Sequence, residues 1–401
     1  MSSMINAYII RGKELKIWGL TPYERLEKSL KKRTNIKLIE NINNINADDN
    51  IILFNGDYIF DERVIDFLIN HNNTGIIIGE PQKPQLVAIH TNGQFVENCT
   101  YAIKENKFEQ IPGNIEIKNI SDIITPSFQK SLRKADKPFI LSIKENDTKF
   151  IEDKLYYSSY KGVTDIITRI VWPKPAKLAV KFCVKYGITP NYVTTFSLIL
   201  AIIAGLLFYK NQYALGLIVG WFMTFLDTVD GKLARVTISS TKFGHLYDHV
   251  IDLVHPIYWY ICWGLSLSSL GVPMNMVWLS LLIIIIFYAV GRFVEGGFRM
   301  LIKAPFSIFC WKPFDSFFRL ITARRNPNLI ILTVATIFKA YDTGLYLVAI
   351  WTFLSSIILL IRFILALKEK KEKGSLKTWL NNIDSDLAKK KKIYKLFIYD
   401  Y

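Results

Sequence analysis

The chain has 401 residues, 51% of them hydrophobic, and a formal net charge of +16, long enough for two domains. Cys99, Cys183, Cys262 and Cys310 show neither metal-ligand spacing nor a disulfide framework. No basic stripe interleaved with aromatics marks a nucleic-acid groove, so nucleic acid is excluded as a partner.

Residues 1–152 read as a soluble α/β domain. "NAYII" (6–10) is a strand, and "TPYERLEKSLKKR" is a helix with Thr21 at its N-cap and Pro22 at its first position. "NIILFNGD" (50–57) is a buried strand, "DERVIDFLINH" a helix, and "GIIIGE" and "QLVAIHT" are further strands. This alternation predicts a sheet with helices on its faces. The opening "MSSMINAYIIRGKELKIWG" does not read as a cleavable signal peptide, which predicts a cytoplasmic location for this domain.

Residues 153–187 place Lys161, Arg169, Lys174, Lys177, Lys181 and Lys185 among apolar and aromatic residues. They read as an interfacial amphipathic helix and linker, broken near Pro173 and Pro175 and lying along lipid headgroups. Residues 188–367 then carry six apolar runs, at roughly 190–209, 213–232, 245–270, 275–295, 328–341 and 344–366, most of them long enough for a hydrocarbon core of about 30 Å. The run at 328–341 is the shortest. Lys and Arg gather before the first run, between the second and third (Lys232, Arg235, Lys242), between the fourth and fifth (Arg299, Lys303, Lys312, Arg319, Arg324, Arg325), and in a basic tail over 368–401 that includes Lys389 to Lys392. The other connections are nearly bare, so both termini are expected in the cytoplasm. An inner membrane of a prokaryote is the expected location.

The second and third runs hold four carboxylates where lipid is the expected solvent. On this topology Asp227 and Asp230 lie roughly 12 and 8 Å from the cytoplasmic end of one helix, at 1.5 Å per residue, and Asp252 and Asp248 lie at matching depths on the next. Spacings of three and four residues put each pair on one face. Four such charges repel one another and are costly to desolvate. Divalent cations offset that cost, and hard oxygen ligands favour magnesium, calcium or manganese. His245, His249 and His255 are near, with His249 out of phase with the aspartates. An ion network with Lys232, Arg235 and Lys242 is the alternative. Carboxylates that hold metal point to phosphate chemistry. Gly231, Ala234 and Gly244 leave room for close approach to the backbone, and Arg235 is placed to bind phosphate oxygens.

Asp227-x-x-Asp230-Gly231-x-x-Ala234-Arg235, eight further residues, then Gly244-x-x-x-Asp248-x-x-x-Asp252 matches the signature of the CDP-alcohol phosphotransferases, also called CDP-alcohol phosphatidyltransferases, at every defined position. The resemblance covers about residues 161–366, including "TPNYVTTFS" at the first membrane run. It implies a six-helix membrane fold, usually a homodimer, in which an alcohol attacks a CDP-activated alcohol and expels CMP. It implies that Asp227, Asp230, Asp248 and Asp252 hold a two-metal site of magnesium or manganese, and that Asp252 is also the general base. Asp227, Gly231, Ala234, Arg235 and Gly244 would bind the CDP group. Membrane lipids surround the site, the donor would be CDP-diacylglycerol or CDP-inositol, and the acceptor is a polar alcohol.

Arg319, Arg324 and Arg325 stand at the cytoplasmic mouth with Arg292 and Arg299, where guanidinium groups bind phosphate or simply set topology. Read as an acceptor-phosphate site, they resemble the feature expected in synthases of phosphatidylinositol phosphate or di-inositol phosphate, or in those that use glycerol phosphate. The front domain resembles a nucleotidyltransferase, with Asp57 after "NG" at the metal position, but "RGKELKIWGLTP" stands where a glycine-rich loop belongs. A degenerate, inactive domain is expected there. Two other readings are a cation transporter, which calls for inverted repeats or broken midplane helices that are not evident, and an inactive transferase fold that anchors the front domain.

Overall fold

The computed structural model describes residues 4–80, 82–123, 127–144, 146–382 and 396–397. The basic run Lys389 to Lys392 lies outside the described residues. The chain divides into two compact units. One comprises Met1–Ser127, Asp136–Ser158 and Val236–Ile238, the other Phe128–Ala135, Ser159–Arg235 and Ser239–Tyr401.

The first unit is built on a six-stranded sheet in the order β2-β1-β3-β6-β5-β7, formed by β1 (Ile5–Ile10), β2 (Ile36–Leu38), β3 (Asn50–Asn55), β5 (Thr74–Ile78), β6 (Gln85–Asn92) and β7 (Glu116–Asn119). β1 runs parallel to β2 and β3, β6 runs antiparallel to β3 and β5, and β7 is parallel to β5. β4 (Tyr58–Phe60) pairs separately with β10 (Ile140–Ser142), while β8 (Ser127–Gln129) pairs with β9 (Lys134–Asp136), most of whose residues belong to the second unit. Ile51, Ile52, Leu53 and Phe54 of β3 are all buried, because helices cover both faces of the sheet. Ile52 and Phe54 pack with Leu26 and Leu30 of α1 (Pro22–Lys31) and with Val64 and Leu68 of α2 (Glu62–Asn70). Ile51 and Leu53 pack with Cys99, Ala102 and Ile103 of α3 (Val96–Glu105).

Helix α1 begins where expected and adds a reciprocal cap. The Glu24 backbone N–H donates to Thr21 Oγ1 at 3.1 Å, and the Thr21 N–H donates to Glu24 Oε2 at 2.8 Å. The one-turn α4 (Ile120–Ile123) and α5 (Thr148–Ser158) complete the helices of this unit.

In the second unit, α6 (Pro173–Lys185) follows a π-turn at Ile167–Val171. It buries Ala176, Val180 and Cys183 and exposes Leu178, Phe182 and, just beyond its end, Tyr186. Among the described residues, five helices are long and apolar enough to cross a membrane: α7 (Pro190–Tyr209), α8 (Tyr213–Val236), α9 (Lys242–Ser266, extended by a 3-10 turn to Leu270), α10 (Met274–Ile302) and α13 (Tyr341–Lys373). Their outward side chains, such as Ile202, Leu206, Ile218, Leu282, Ile286, Ile350 and Ile361, are exposed and apolar, a surface suited to lipid. The protein is an integral membrane protein. The expected span at 328–341 is the 13-residue α12 (Arg325–Ile337), preceded by α11 (Pro313–Ile321). At 1.5 Å per residue α12 is only about 20 Å long, and it packs along α13. It starts before the apolar run because Pro327 fits a first helical turn, and it ends before Lys339 at φ 53°.

Polar side chains fasten these helices to one another. Trp259 Nε1 donates to the Ala201 carbonyl at 2.7 Å, Trp221 Nε1 to Thr333 Oγ1 at 3.0 Å, Asn328 Nδ2 to Tyr260 Oη at 2.8 Å, and Ser356 Oγ to the Phe287 carbonyl at 2.6 Å. Each replaces water that the apolar phase does not offer. Phe208, Met223, Trp259, Trp263, Leu281, Leu332 and Val348 form the core between them.

The packing of α7 on α9 depends on a missing side chain. A Cβ at Gly205 would lie 2.1 Å from Cε1 of Tyr258, whose hydroxyl donates to the Ile202 carbonyl at 3.1 Å. Gly205→Val is therefore expected to cost about 1–3 kcal/mol, as overpacking does, read as a lower thermal unfolding midpoint in detergent. An unchanged midpoint would mean that the Tyr258 ring swings aside freely.

Candidate active site

Asp227 and Asp230 sit on α8, and Asp248 and Asp252 on the following α9. Their spacing keeps each pair on one helical face, and the two antiparallel helices bring three of them together. One carboxylate oxygen each from Asp227, Asp248 and Asp252 lies within 4.8 Å of the others. Three converging hard oxygen donors fit a divalent ion of the magnesium, calcium or manganese type.

The fourth carboxylate, Asp230, is buried and accepts a hydrogen bond from Thr194 Oγ1 at 2.6 Å. Thr194 lies in the first turn of α7, which Thr189 and Pro190 open. In the sequence, "TPNYVTTFS" marks the start of a membrane run and gives Thr194 no task. The signal was a threonine one helical turn after a helix-starting proline, on the face that meets α8.

A cation already faces the aspartates. Arg325, the first residue of α12, places Nη2 2.5 Å from Asp227 Oδ2 and Nη1 2.8 Å from Asp252 Oδ1. The next residue, Asn326, donates from Nδ2 to Asp165 Oδ1 at 2.8 Å, and that same oxygen accepts the Thr168 backbone N–H at 3.0 Å. Arg319 and these bonds hold Asp165 below the usual carboxylate range even though burial pushes the other way. This anchor fixes where α12 begins.

Of the cations of the alternative ion network, Lys232 and Arg235 make no ion pair with these carboxylates among the described residues. Lys232 is buried, donates to the Ser159 carbonyl at 3.2 Å and sits 3.0 Å from the centre of the Tyr160 ring. Arg235 folds back along α8, where a Cβ at Gly231 would lie 3.1 Å from its Nη2. Glycine is what lets the guanidinium lie there. Its Nε is buried and has no partner. Ala234 sits half-buried on the same helix. At the start of α9, a Cβ at Gly244 would lie 2.8 Å from Asn191 Oδ1 of α7, and the Gly244 N–H is capped by Thr241 Oγ1 at 2.9 Å.

Asp252 is steadied through its backbone. Pro256, four residues on, has no N–H to give the Asp252 carbonyl. Tyr288 of α10 fills the gap: its hydroxyl donates to the Asp252 carbonyl at 3.3 Å and lies 3.4 Å from that of Leu253, while accepting from Arg292 Nη2 at 3.2 Å. His255 is buried, donates from Nδ1 to the Ile251 carbonyl at 2.7 Å and stands edge-on to Trp259, so its place is structural. His245 and His249 are exposed.

The three arginines expected at the mouth have three different settings. Arg324 is ion-paired with Glu295. Arg325 spans two aspartates. Arg319 of α11 lies 5.5 Å from the centre of the Phe309 ring, with Nε and Nη1 buried and unpartnered. Burial, helped by the charges of Arg133, Arg292 and Arg325 and opposed by Asp165, brings the Arg319 guanidinium down to about 10. Glu295 and Arg133 were not singled out from sequence, since only the folded chain places them beside Arg324 and Arg319.

Residues 187–304 match the family model described as CDP-alcohol phosphatidyltransferase. The chain is 29% identical over 185 residues to the archaetidylinositol phosphate synthase of Pyrococcus horikoshii, covering 46% of this chain and 88% of that protein. It is 30% identical over 114 residues to the phosphatidylinositol phosphate synthase of Mycolicibacterium smegmatis, covering 27% of this chain and 51% of that one. Among solved structures, the Mycobacterium tuberculosis phosphatidylinositol phosphate synthase with CDP-DAG bound is 18% identical, with 46% of this chain and 90% of that chain covered and a TM-score of 0.36. The same enzyme in complex with manganese and citrate is 19% identical, with 46% and 86% covered and a TM-score of 0.36. With the complete aspartate signature inside the matched region, the chain carries a CDP-alcohol phosphatidyltransferase domain and is a membrane transferase that moves a substituted phosphate group from a CDP-alcohol to an alcohol acceptor.

Proposed function

We propose that the acceptor carries a phosphate of its own, with inositol phosphate the best candidate and glycerol phosphate the second, and that the donor is a CDP-activated lipid of the CDP-diacylglycerol type. The observation that carries this reading is Arg319, whose buried Nε and Nη1 have no partner. A buried guanidinium with two idle donors is costly unless something else satisfies it, and a phosphate dianion does so bidentately. The two curated relatives are named as inositol phosphate lipid synthases, which supports inositol phosphate over glycerol phosphate.

In this reading Asp227, Asp248 and Asp252 hold divalent magnesium or manganese, with Asp230 completing a two-metal set. Ions bound there supply neutralisation of the diphosphate. Arg235, with Gly231, Ala234, Asp227 and Gly244 around it, receives the CDP group. Arg319 holds the acceptor phosphate and so orients the acceptor hydroxyl. Asp252, with its carbonyl fixed by Tyr288, takes the proton of that hydroxyl. The hydroxyl oxygen forms a bond to the phosphorus distal to the cytidine, the bond from that phosphorus to CMP breaks, and CMP leaves with the electron pair. Helix α6, with its exposed Leu178, Phe182 and neighbouring Tyr186 and its lysines, lies along the headgroup layer. The enzyme works as a homodimer in a prokaryotic inner membrane, with both termini in the cytoplasm.

The front domain is a nucleotidyltransferase-like fold that has lost its activity. Asp57 has both oxygens engaged: the Lys13 backbone N–H donates to Oδ1 at 2.8 Å, and Lys144 Nζ lies 2.5 Å from Oδ2. A carboxylate so occupied has little left for a metal-bound triphosphate.

Four outcomes test this reading, each measured on the full chain in detergent. Asp252→Asn is expected to lower CMP release by about 100- to 10,000-fold, the usual contribution of a general base, while donor binding persists. Excess EDTA stops the wild-type reaction and magnesium or manganese restores it, and turnover in excess chelator would remove the metal. Arg319→Gln is expected to raise the KM for inositol phosphate by about ten- to a hundred-fold, the worth of a charge-assisted contact, and to leave unphosphorylated inositol unaffected. Equal effects on both acceptors would show that Arg319 does not read a phosphate. Finally, no pyrophosphate should be released from CTP and inositol phosphate, and its release would return the front domain to the active nucleotidyltransferases.

A further inference from the structure

Arg325 bridges two helices through the very carboxylates that face the metal site. Its Nη2 takes Asp227 Oδ2 on α8 and its Nη1 takes Asp252 Oδ1 on α9. Each carboxylate has only two oxygens, and a hydrogen-bonded lone pair is not open to a metal ion. A cation entering between Asp227, Asp248 and Asp252 also meets the guanidinium charge at contact distance. The metal and the guanidinium therefore compete for the same negative charge.

The geometry also gives Arg325 somewhere to go. Its backbone is held at the start of α12 by the Asn326–Asp165 bond, while its side chain is long and its Nε has no partner. Arg319 bears on the same Asp165 and feels the charge of Arg325, so the two guanidinium groups belong to one neighbourhood.

We propose that Arg325 is a counter-ion that the divalent metal displaces: it holds Asp227 and Asp252 together while the metal is absent, and on metal binding its guanidinium is freed to join Arg319 on the acceptor phosphate. Metal loading then precedes acceptor binding, and the two bindings strengthen each other because coupling between sites is reciprocal. The proposal rests on the metal and acceptor-phosphate roles given above. Arg325 acts here as a positioning residue. It explains how a cluster of carboxylates at a membrane face persists through each period without metal, when the uncompensated charges would drive α8 and α9 apart.

The test measures Mn2+ binding to the full-length protein in detergent, by the loss of the free-ion paramagnetic resonance signal, for wild type and Arg325→Gln. The competitor is absent in the variant, so its Mn2+ affinity is expected to rise by about ten- to a hundred-fold, the worth of one charge-assisted hydrogen bond. A purely structural arginine gives the opposite sign, because its loss lets the carboxylates separate. Equal or weaker binding by a variant with a wild-type unfolding profile overturns the proposal. A second arm titrates inositol phosphate by calorimetry with and without Mn2+. Wild type is expected to bind it more tightly with Mn2+ present, and Arg325→Gln to lose most of that gain; an equal gain in both overturns the displacement. Should Arg325→Gln not fold, Arg325→Lys carries the test. One ammonium reaches only one of the two carboxylates well, so Mn2+ affinity is expected to rise severalfold, and no rise overturns the proposal. If wild type and variants all bind no Mn2+, the metal reading itself falls and the displacement with it. If Mn2+ binds but inositol phosphate does not, the acceptor assignment falls while the metal competition is still decided by the first arm.

Discussion

Negative charge cannot be gathered at the edge of an apolar phase without positive charge to meet it, and much of the second unit follows from that constraint. Asp227, Asp248 and Asp252 converge to within a few ångströms of one another. Arg325 answers two of them from the start of α12, and Thr194 answers Asp230 from the start of α7. Both partners come from side chains near helix starts, the guanidinium of Arg325 and the hydroxyl of Thr194. Even the shortness of α12 fits this pattern. Its start is anchored at the level of the aspartates by Asn326 and Asp165, and it ends just before the positive φ of Lys339.

The same reasoning separates cations that are spent from cations that are available. Arg324 is neutralised by Glu295, Lys232 lies against the Tyr160 ring and a backbone carbonyl, and Arg362 is held by Asp315 at 2.6 Å. A count of basic residues at this face treats all of them as equal. Arg319 and Arg235, by contrast, keep buried guanidinium donors without a partner among the described residues, as does the Nε of Arg325.

What the sequence made legible was whatever repeats within one element. The pairing of aspartates by helical phase, the alternation of strands and helices in the front domain, and the Thr21–Pro22 helix start were readable because each depends on residues fewer than about five apart. The partners of the aspartates were not readable. Arg325 is 98 residues from Asp227 and 73 from Asp252, and Thr194 is 36 from Asp230. Such contacts are settled by how helices pack, and many arginines compete for them on paper. The sheet order was hidden for the same reason, since β6 inserts between β3 and β5 by long-range pairing. The fifth membrane run, at 328–341, was read from hydropathy alone, which registers apolar length but not the polar anchor that sets where a helix begins.

Pro256 gives α9 a built-in joint. The Asp252 carbonyl is satisfied from the side by Tyr288 instead of from within the helix, so α9 can flex there without breaking any of its own backbone bonds. On one side of the joint stand Asp248 and Asp252, and on the other Trp259 and Trp263, locked by their indole bonds to Ala201 and Tyr341. A movement of a few degrees at Pro256 shifts the carboxylates and leaves the aromatic core at rest. In amide hydrogen exchange the two halves of this one helix are expected to open as separate cooperative units: the segment before Pro256, which carries the carboxylates, and the segment after it, which is tied into the aromatic core.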